Sequence, residues 1–134
     1  MACLDTTVIL DLIGRAGRRR QIDAQTKLRL EHDRPHSITR FTIAELIIGS
    51  QLSDDPELER RRLTPFLSKL QILEFDARAA RLYAAIFVQL RKLGLAPGIM
   101  DMLIAAVSLS NGVRFVTRNP RHFQYIPGLR VEAY

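Results

Sequence analysis

The stretch Cys3-Leu4-Asp5-Thr6-Thr7-Val8-Ile9-Leu10 sets one acid and two hydroxyls between two short apolar runs. The first run predicts a buried β-strand that ends at Asp5, and Thr6 or Thr7 is a suitable cap for a helix that continues to about Ile13. Such a strand delivers the Asp5 carboxylate to one edge of a sheet. The carboxylate has two interpretations, as a helix cap and as part of a site at that edge.

Short strands alternate with helical patterns along the rest of the 134 residues. The predicted strands cover residues 1–5, 36–39, 71–75, 113–117 and 129–132. The predicted helices cover residues 6–13, 42–49, 56–70, 76–92 and 100–110, and residues 18–34 form a charged segment with only a weak helical face. This alternation predicts an α/β sandwich with a mostly parallel sheet of four to five strands. We expect one domain over residues 1–134.

The basic residues are concentrated in the second part of the chain. Residues 1–76 carry 12 Lys and Arg against 12 Asp and Glu, whereas residues 77–134 carry 8 against 2 and so hold the whole net charge of +6. A basic region of this kind predicts a polyanionic partner such as nucleic acid, and a solvated surface without a partner is the alternative.

Several bulk features point to a cytoplasmic protein without a membrane partner. No apolar stretch approaches the ~20 residues that span a bilayer. Asp5 and Asp11 interrupt the first apolar region, so we predict no secretory signal. The single cysteine, Cys3, excludes an internal disulfide and suits a reducing compartment.

Three acids, Asp5, Glu45 and Asp101, are candidates for a site where the strands end. Glu45 completes a Thr42-x-x-Glu45 capping box, but if Thr39 is the cap, Glu45 lies one turn later and is free to face a cleft. Asp101 opens the most apolar helix of the chain, where an unpaired carboxylate is costly unless a cation or hydrogen-bond donors meet it.

Three converging carboxylates repel one another and therefore predict a compensating cation. Oxygen ligands without a His or Cys cluster favour a hard ion, Mg²⁺ or Mn²⁺. A hard metal inside a basic surface suits the hydrolysis of a phosphodiester. An aspartate-nucleophile phosphatase is a weaker interpretation, because that chemistry wants an acid where the chain has Thr7.

Other polar residues near the predicted strand ends have secondary roles. Thr7 and Thr117 are candidates for hydrogen bonds at the site, although hydroxyls at strand ends commonly cap helices. Arg118 and Arg121 are candidates for contacts with phosphate. The remaining residues are interpreted as structural, exposed or partner-facing: Asp11 (exposed on its helix), His32, His36, His122 and the arginine runs at 18–20 and 60–62.

Ordered blocks of sequence resemble the PIN-domain ribonucleases, and within them the VapC toxins of bacterial toxin–antitoxin pairs. The resemblance spans nearly the whole chain in the order and spacing of that family. The blocks are Leu4-Asp5-Thr6-Thr7-Val8-Ile9, Thr42-Ile43-Ala44-Glu45-Leu46-Ile47-Ile48-Gly49, Asp101-Met102-Leu103-Ile104-Ala105-Ala106, Phe115-Val116-Thr117-Arg118-Asn119 and the closing residues 123–131.

The resemblance implies a three-layer α/β/α sandwich and cleavage of RNA by a Mg²⁺- or Mn²⁺-dependent endonuclease. It also implies a homodimer and a VapB-like antitoxin whose C-terminal segment occupies a groove by the active site. The RNA is not identified, and tRNA or another structured RNA is a candidate. The rival hypothesis is a non-catalytic module that binds RNA or a protein partner and uses its acids only to cap helices.

Carried over by position, Asp5, Glu45 and Asp101 are the metal-binding acids of this resemblance. Thr7 and Thr117 fall at hydroxyl positions beside the site. Many PIN domains have a fourth acid where this chain has Asn119. An amide is a neutral ligand, so we expect a second metal to bind more weakly here.

Overall fold

The computed structural model describes residues 1–31 and 34–134, so His32 lies outside the described residues. The strands are β1 (Ala2–Leu4), β2 (His36–Thr39), β3 (Gln71–Leu73), β4 (Arg114–Val116) and β5 (Val131–Glu132). The helices are α1 (Thr6–Leu12), α2 (Arg18–Arg29), α3 (Arg40–Gln51), α4 (Pro56–Leu67), α5 (Ala77–Lys92), α6 (Ile99–Ser110) and a 3₁₀-helix at Pro120–His122. Among the described helices, none is both long and apolar enough to cross a membrane.

The five strands form one parallel sheet in the order β3-β2-β1-β4-β5. Strand β1 lies in the centre, with Cys3 opposite Ser37 of β2 and Leu4 opposite Val116 of β4. Because all pairs are parallel, the carboxyl ends of the strands meet at one edge, which we call the carboxyl edge. The predicted α/β fold with a parallel central sheet is confirmed.

Helices cover both faces of the sheet, because successive side chains of a strand point to opposite sides. Ala2 and Leu4 pack with helices α1, α2, α3 and α4, whereas Cys3 packs with α5 and α6. These two apolar cores give the α/β/α sandwich. Burial in the second core raises the pKa of the Cys3 thiol to about 11, so this cysteine is an inert core residue.

Acids and hydroxyls begin several helices by accepting hydrogen bonds from main-chain N–H groups. Asp5 caps α1, Thr39 caps α3, Asp55 caps α4 and Asp76 caps α5. These side chains satisfy N–H groups that have no partner inside the helix. Asp5 directly follows β1 and Thr39 is the last residue of β2, so these caps also fix where α1 and α3 leave the carboxyl edge.

Two helices differ from their prediction. Residues 18–29 form a regular helix, α2, although the sequence shows only a weak apolar face there. The reason is that α2 packs Ala24 and Leu28 against the apolar core, and Lys27 near its end forms an ion pair with Glu132. In α5, helical spacing in the sequence predicts that Ala84 and Val88 face inward with Ala79, Ala80, Tyr83, Phe87 and Leu90, but both are exposed. Ile86 is buried in their place.

Candidate active site

Asp5 is a buried carboxylate at the carboxyl edge, with only 7% of its surface exposed. Its Oδ1 accepts a hydrogen bond from the main-chain N–H of Thr6 at 2.8 Å. Its Oδ2 accepts from Thr117 Oγ1 at 2.7 Å and from Thr7 Oγ1 at 3.1 Å. Burial raises the pKa of Asp5, while these three donors oppose the rise. One oxygen therefore caps α1 and the other accepts from two threonine hydroxyls, so the cap is confirmed and the role of Asp5 in a site stays a prediction.

The two predicted hydroxyls join the end of β4 to the start of α1. Arg118 N donates to Thr7 Oγ1 at 3.1 Å, and Asn119 N donates to Thr117 Oγ1 at 3.0 Å. Each hydroxyl thus accepts from the main chain after β4 and donates to Asp5. Thr7 and Thr117 position the Asp5 carboxylate.

Glu45 approaches the same edge from α3. Thr42 N donates to Thr39 Oγ1 at 3.0 Å, so Thr39 is the cap and Glu45 lies one turn later. The freed carboxylate accepts a hydrogen bond from Thr6 Oγ1, at 2.8 Å from Glu45 Oε1. Partial burial raises the pKa of Glu45, and the charges of Asp5 and Asp101 raise it further. Thr6 was considered only as a helix cap, and its contact with Glu45 was missed.

Asp101 lies in the first turn of α6 and is half-buried. Burial and the charge of Asp5 raise the pKa of Asp101. The imidazole of His122 opposes this shift, with Nδ1 at 3.6 Å from Asp101 Oδ2. The interpretation of His122 as a structural residue did not anticipate this contact between the exposed ring and the acid.

The structure brings Asp5, Glu45 and Asp101 within electrostatic reach of one another. Within residues 1–31 and 34–134, none of the three is paired with Lys or Arg. In the same residues no three His, Cys, Asp or Glu side chains stand close enough to form a finished metal-binding cluster. The donor set nevertheless fits a hard divalent cation, because it consists of oxygens whose mutual repulsion such an ion relieves.

Arg118 does not project freely into the site. Its Nη1 lies 2.5 Å from Asp11 Oδ1, and Tyr134 OH donates to Asp11 Oδ2 at 2.5 Å. Asp11 is fully buried, so its prediction as an exposed helix residue was wrong. Burial and the hydrogen bond to Asp11 raise the pKa of Tyr134. Together these contacts fix the Arg118 guanidinium beside the carboxyl edge.

Arg121 and Asn119 flank the acids after β4. Arg121 is exposed and, with Asp101 and His122, lines a cavity of about 370 Å³. Asn119 precedes the 3₁₀-helix, and its side chain makes no capping hydrogen bond there. Arg121 thus places a positive charge beside the acids, whereas Asn119 adds no negative charge.

The sequence profile described as the PIN domain matches residues 2–129. The chain belongs to the PIN-domain family. Among PIN-domain relatives, it is 37% identical to the tRNA(fMet)-specific endonuclease VapC of Salmonella typhimurium over 97 residues, which cover 72% of this chain and 74% of that protein. It is 30% identical to ribonuclease VapC2 of Haemophilus influenzae over 131 residues, which cover 98% and 96% of the two chains.

A solved PIN-domain structure has the same fold along nearly the whole chain. DNA-bound VapBC from Salmonella typhimurium matches with a TM-score of 0.86 and 31% identity, over 98% of this chain and 96% of that one. The predicted resemblance to VapC proteins is confirmed. The roles of individual site residues remain predictions.

Proposed function

We propose that this PIN-domain protein is a metal-dependent endoribonuclease that hydrolyses phosphodiester bonds and acts as the toxin of a VapBC-type pair. The observation that carries the proposal is that Asp5, Glu45 and Asp101 lie within electrostatic reach of one another at the carboxyl edge, where the pKa of each is raised. Acids with perturbed pKa values are typical of catalytic sites, and hydroxyls hold two of these three, Asp5 and Glu45. The family relationship supports RNA as the substrate, and the VapC relative named for tRNA(fMet) makes tRNA the first candidate.

Mg²⁺ or Mn²⁺ is the proposed cofactor, held by Asp5, Glu45 and Asp101. When bound, such an ion supplies Lewis acidity toward the phosphodiester and neutralises the charge that develops on it. The chain's own hydroxyls prepare the ligands: Thr7 and Thr117 orient Asp5, and Thr6 orients Glu45. Because the three acids repel one another, we expect them to draw closer when a cation binds.

Arg121 and Arg118 are proposed to bind the RNA backbone. Arg121 is exposed next to Asp101, so its side chain can adjust to the position of a phosphate. Arg118 is held by Asp11 and presents a fixed charge. A guanidinium donates two parallel hydrogen bonds to a phosphate, which suits both positions. His122, which faces Asp101, is placed to interact with the same phosphate.

A VapB-like antitoxin is the proposed protein partner. Besides the groove by the active site that the resemblance implies, a groove of about 790 Å³ lies on the face covered by α1, α2 and α4, near the first residue of β2, and has an apolar floor and a basic rim. The floor suits an amphipathic segment, and the rim favours acidic residues on it. The floor includes Leu4, Ile9, Leu12, Leu28, Phe66 and Leu70, and the rim includes Arg29, Arg34 and Lys69.

A second copy of the chain is the proposed partner for the outer face of α5. Val88 is 50% exposed and Leu93 is 65% exposed, and Ala84 and Ala85 lie beside them. Apolar side chains grouped in this way favour burial against a partner. Val88→Asp is expected to convert a dimer to a monomer, measured by light scattering. We further propose that the protein works in the cytoplasm, because its single cysteine, Cys3, rules out an internal disulfide and suits a reducing compartment.

The decisive experiment incubates purified, antitoxin-free protein with total RNA or tRNA in Mg²⁺, in EDTA, and in EDTA followed by excess Mn²⁺. We expect new RNA ends in Mg²⁺, none in EDTA, and recovery with Mn²⁺. Asp101→Asn should reduce cleavage by about 100-fold or more, because even residues that only support metal ligands contribute about 10- to 100-fold. Asp54→Asn, an exposed acid between α3 and α4, is the matched control and should cleave normally.

Two results would contradict the proposal. Cleavage that persists in EDTA would show that the acids are structural. RNA binding with steep salt dependence but without cleavage at any metal concentration would identify a non-catalytic module instead.

A further inference from the structure

Helix α2 runs beside β4 and β5 in the direction opposite to the strands. Near its end, Lys27 Nζ lies 3.1 Å from Glu132 Oε2 of β5. Just after its end, Glu31 Oε2 lies 2.9 Å from Nη2 of Arg114, the first residue of β4. Its first turn, in contrast, lies near Arg118, which follows β4. The arginine run at 18–20 therefore lies at the carboxyl edge.

A cavity of about 330 Å³ opens between this first turn and the end of β4. Arg19, Arg20, Asp23, Arg118 and Tyr134 line it, so three guanidinium groups meet one carboxylate. The main-chain N–H of Arg118 donates to Thr7 Oγ1, and this hydroxyl donates to Asp5 Oδ2. The cavity wall is thus two hydrogen bonds away from a proposed metal ligand.

The three arginines of this cavity differ in how they are held. The buried carboxylate of Asp11 fixes the guanidinium of Arg118 through an ion pair. Arg19 and Arg20 are exposed, and within the described part of the chain their side chains form no ion pair or hydrogen bond. A fixed guanidinium beside two available ones suits the planar, charge-assisted recognition of a phosphate.

A second basic group lies across the sheet. Arg121 lines the cavity beside Asp101, on the face covered by α5 and α6. Arg19 and Arg20 lie on the face covered by α1 and α2. The acids lie between these two sets of basic residues. An RNA strand that crosses the carboxyl edge therefore meets positive charge both before and after it reaches the acids.

We propose that Arg19 and Arg20, with Arg118, form a phosphate-binding subsite that holds the RNA backbone on one side of the cleaved bond. This inference rests on the proposed ribonuclease function and assigns a role to the arginine run at 18–20. The two arginines are positioning residues, which bind a phosphate away from the reacting one. The RNA strand then crosses the carboxyl edge from this subsite, over the acids, to Arg121.

The test compares Arg19→Gln/Arg20→Gln with Arg61→Gln/Arg62→Gln, an exposed pair on α4 that gives the same change of charge. Both pairs are combined with Asp101→Asn, so that a labelled single-stranded RNA survives, and its Kd is measured by fluorescence anisotropy over a salt series. For Arg19→Gln/Arg20→Gln we expect a Kd about tenfold higher and a salt slope smaller by about 1.4, since each phosphate contact contributes about 0.7.

In the cleavage reaction with Asp101 intact, the same double variant should raise KM and leave kcat nearly unchanged, because the lost contact is made in the ground state and transition state alike. Arg19→Lys/Arg20→Lys keeps both charges and should restore the salt slope. The unfolding temperature of each variant should match that of the wild type, since the side chains are exposed.

Three outcomes separate this subsite from the proposed function. If Arg19→Gln/Arg20→Gln matches the α4 control in Kd and salt slope while the wild type cleaves RNA, the subsite is refuted and the function stands. If the wild type never cleaves RNA but the salt slope of RNA binding is smaller for Arg19→Gln/Arg20→Gln than for the α4 control, the proposed ribonuclease function fails and the phosphate site stands. If the variant binds RNA normally but loses affinity for its purified antitoxin, the cavity belongs to the protein partner and the inference is overturned.

Discussion

Thr117 Oγ1 lies 2.7 Å from Asp5 Oδ2, and the two residues are 112 positions apart in the chain. The contact forms because β1 and β4 are parallel neighbours, with Leu4 opposite Val116, so the residues that follow these strands meet at the carboxyl edge. Thr117 is fully buried and Asp5 nearly so. The Thr117 hydroxyl is therefore the donor that most strongly opposes the rise that burial causes in the pKa of Asp5.

Thr117→Val should destabilise the protein and further raise the pKa of Asp5. The substitution preserves the shape of the side chain but removes one of three donors to the carboxylate. A buried group that loses its partner costs about 1–3 kcal/mol of unfolding free energy. Urea denaturation measures the loss, and a carboxyl NMR titration follows the pKa. Thr117→Ser retains the hydroxyl, so a Ser variant as perturbed as the Val variant would contradict this explanation.

Thr6→Val should weaken metal binding while leaving the fold nearly unchanged. The main-chain N–H of Thr6 still caps α1 through Asp5, but Glu45 loses the hydroxyl that holds its Oε1. Residues that orient a metal ligand commonly contribute about 10- to 100-fold to affinity or activity. Calorimetric titration with Mn²⁺ measures the change. An unaltered Mn²⁺ affinity would show that Glu45 needs no such support.

Asp101→Asn should stabilise the metal-free protein even though it abolishes cleavage. The pKa of Asp101 is raised by burial and by Asp5, so the ionised carboxylate destabilises the folded state. This penalty applies above the raised pKa and disappears below the unfolded value of 3.8. The unfolding temperature in EDTA should therefore exceed that of the wild type at pH 7, and the difference should vanish near pH 3.8. A lower unfolding temperature at pH 7 would contradict the repulsion.

Asn119→Asp should add a fourth acid and strengthen the binding of a second metal ion. Asn119 follows Thr117 and Arg118 at the carboxyl edge, where its main-chain N–H is held by Thr117 Oγ1. Calorimetry with Mn²⁺ should then give a second site, whereas Asn119→Ala should bind one ion as the wild type does. In EDTA the Asp variant should unfold at a lower temperature, because it adds a like charge to the cluster.

Glu31 should make the stability of the folded protein depend on pH in the acidic range. Its hydrogen bonds with Arg114 lower the pKa of Glu31 from 4.5 to about 2. A depressed carboxyl pKa contributes stability that is complete above pH 4.5 and is lost as the pH falls toward 2. The difference in unfolding temperature between wild type and Glu31→Gln should therefore shrink over this interval. Glu57→Gln, which breaks an exposed ion pair with Arg60, should give a much smaller difference.

The parts of the fold set by local pattern could be predicted from the sequence. Strand β2 begins and ends as predicted, and α6 differs by a single residue, because apolar periodicity and turn residues determine both. The parallel direction of the strands also follows from their alternation with helices, and it brings the residues that follow β1 and β4 to one edge. These predictions needed no knowledge of individual long-range contacts.

The contacts that were missed depend on partners far away in the chain. Asp11 is buried because Arg118 and Tyr134, which are 107 and 123 positions later, bind its two oxygens. The contact between His122 and Asp101 likewise requires the 3₁₀-helix to turn back over α6. No local pattern encodes such pairings. The choice between Thr39 and Thr42 as the cap of α3 is local, but the sequence left it open. The hydrogen bond from Thr42 N to Thr39 Oγ1 decides it.

The residues of the acid cluster belong to segments of the chain that are synthesised at very different times. Asp5 and Thr7 are made at the beginning, Glu45 later, and Asp101 and Thr117 only in the last third of the chain. Strand β4, which holds Asp5 in place, is also an inner strand of the sheet, so the sheet cannot close without it. A chain still being translated therefore lacks the assembled acid cluster until β4 and Thr117 have been made, and we expect such a chain not to cleave RNA.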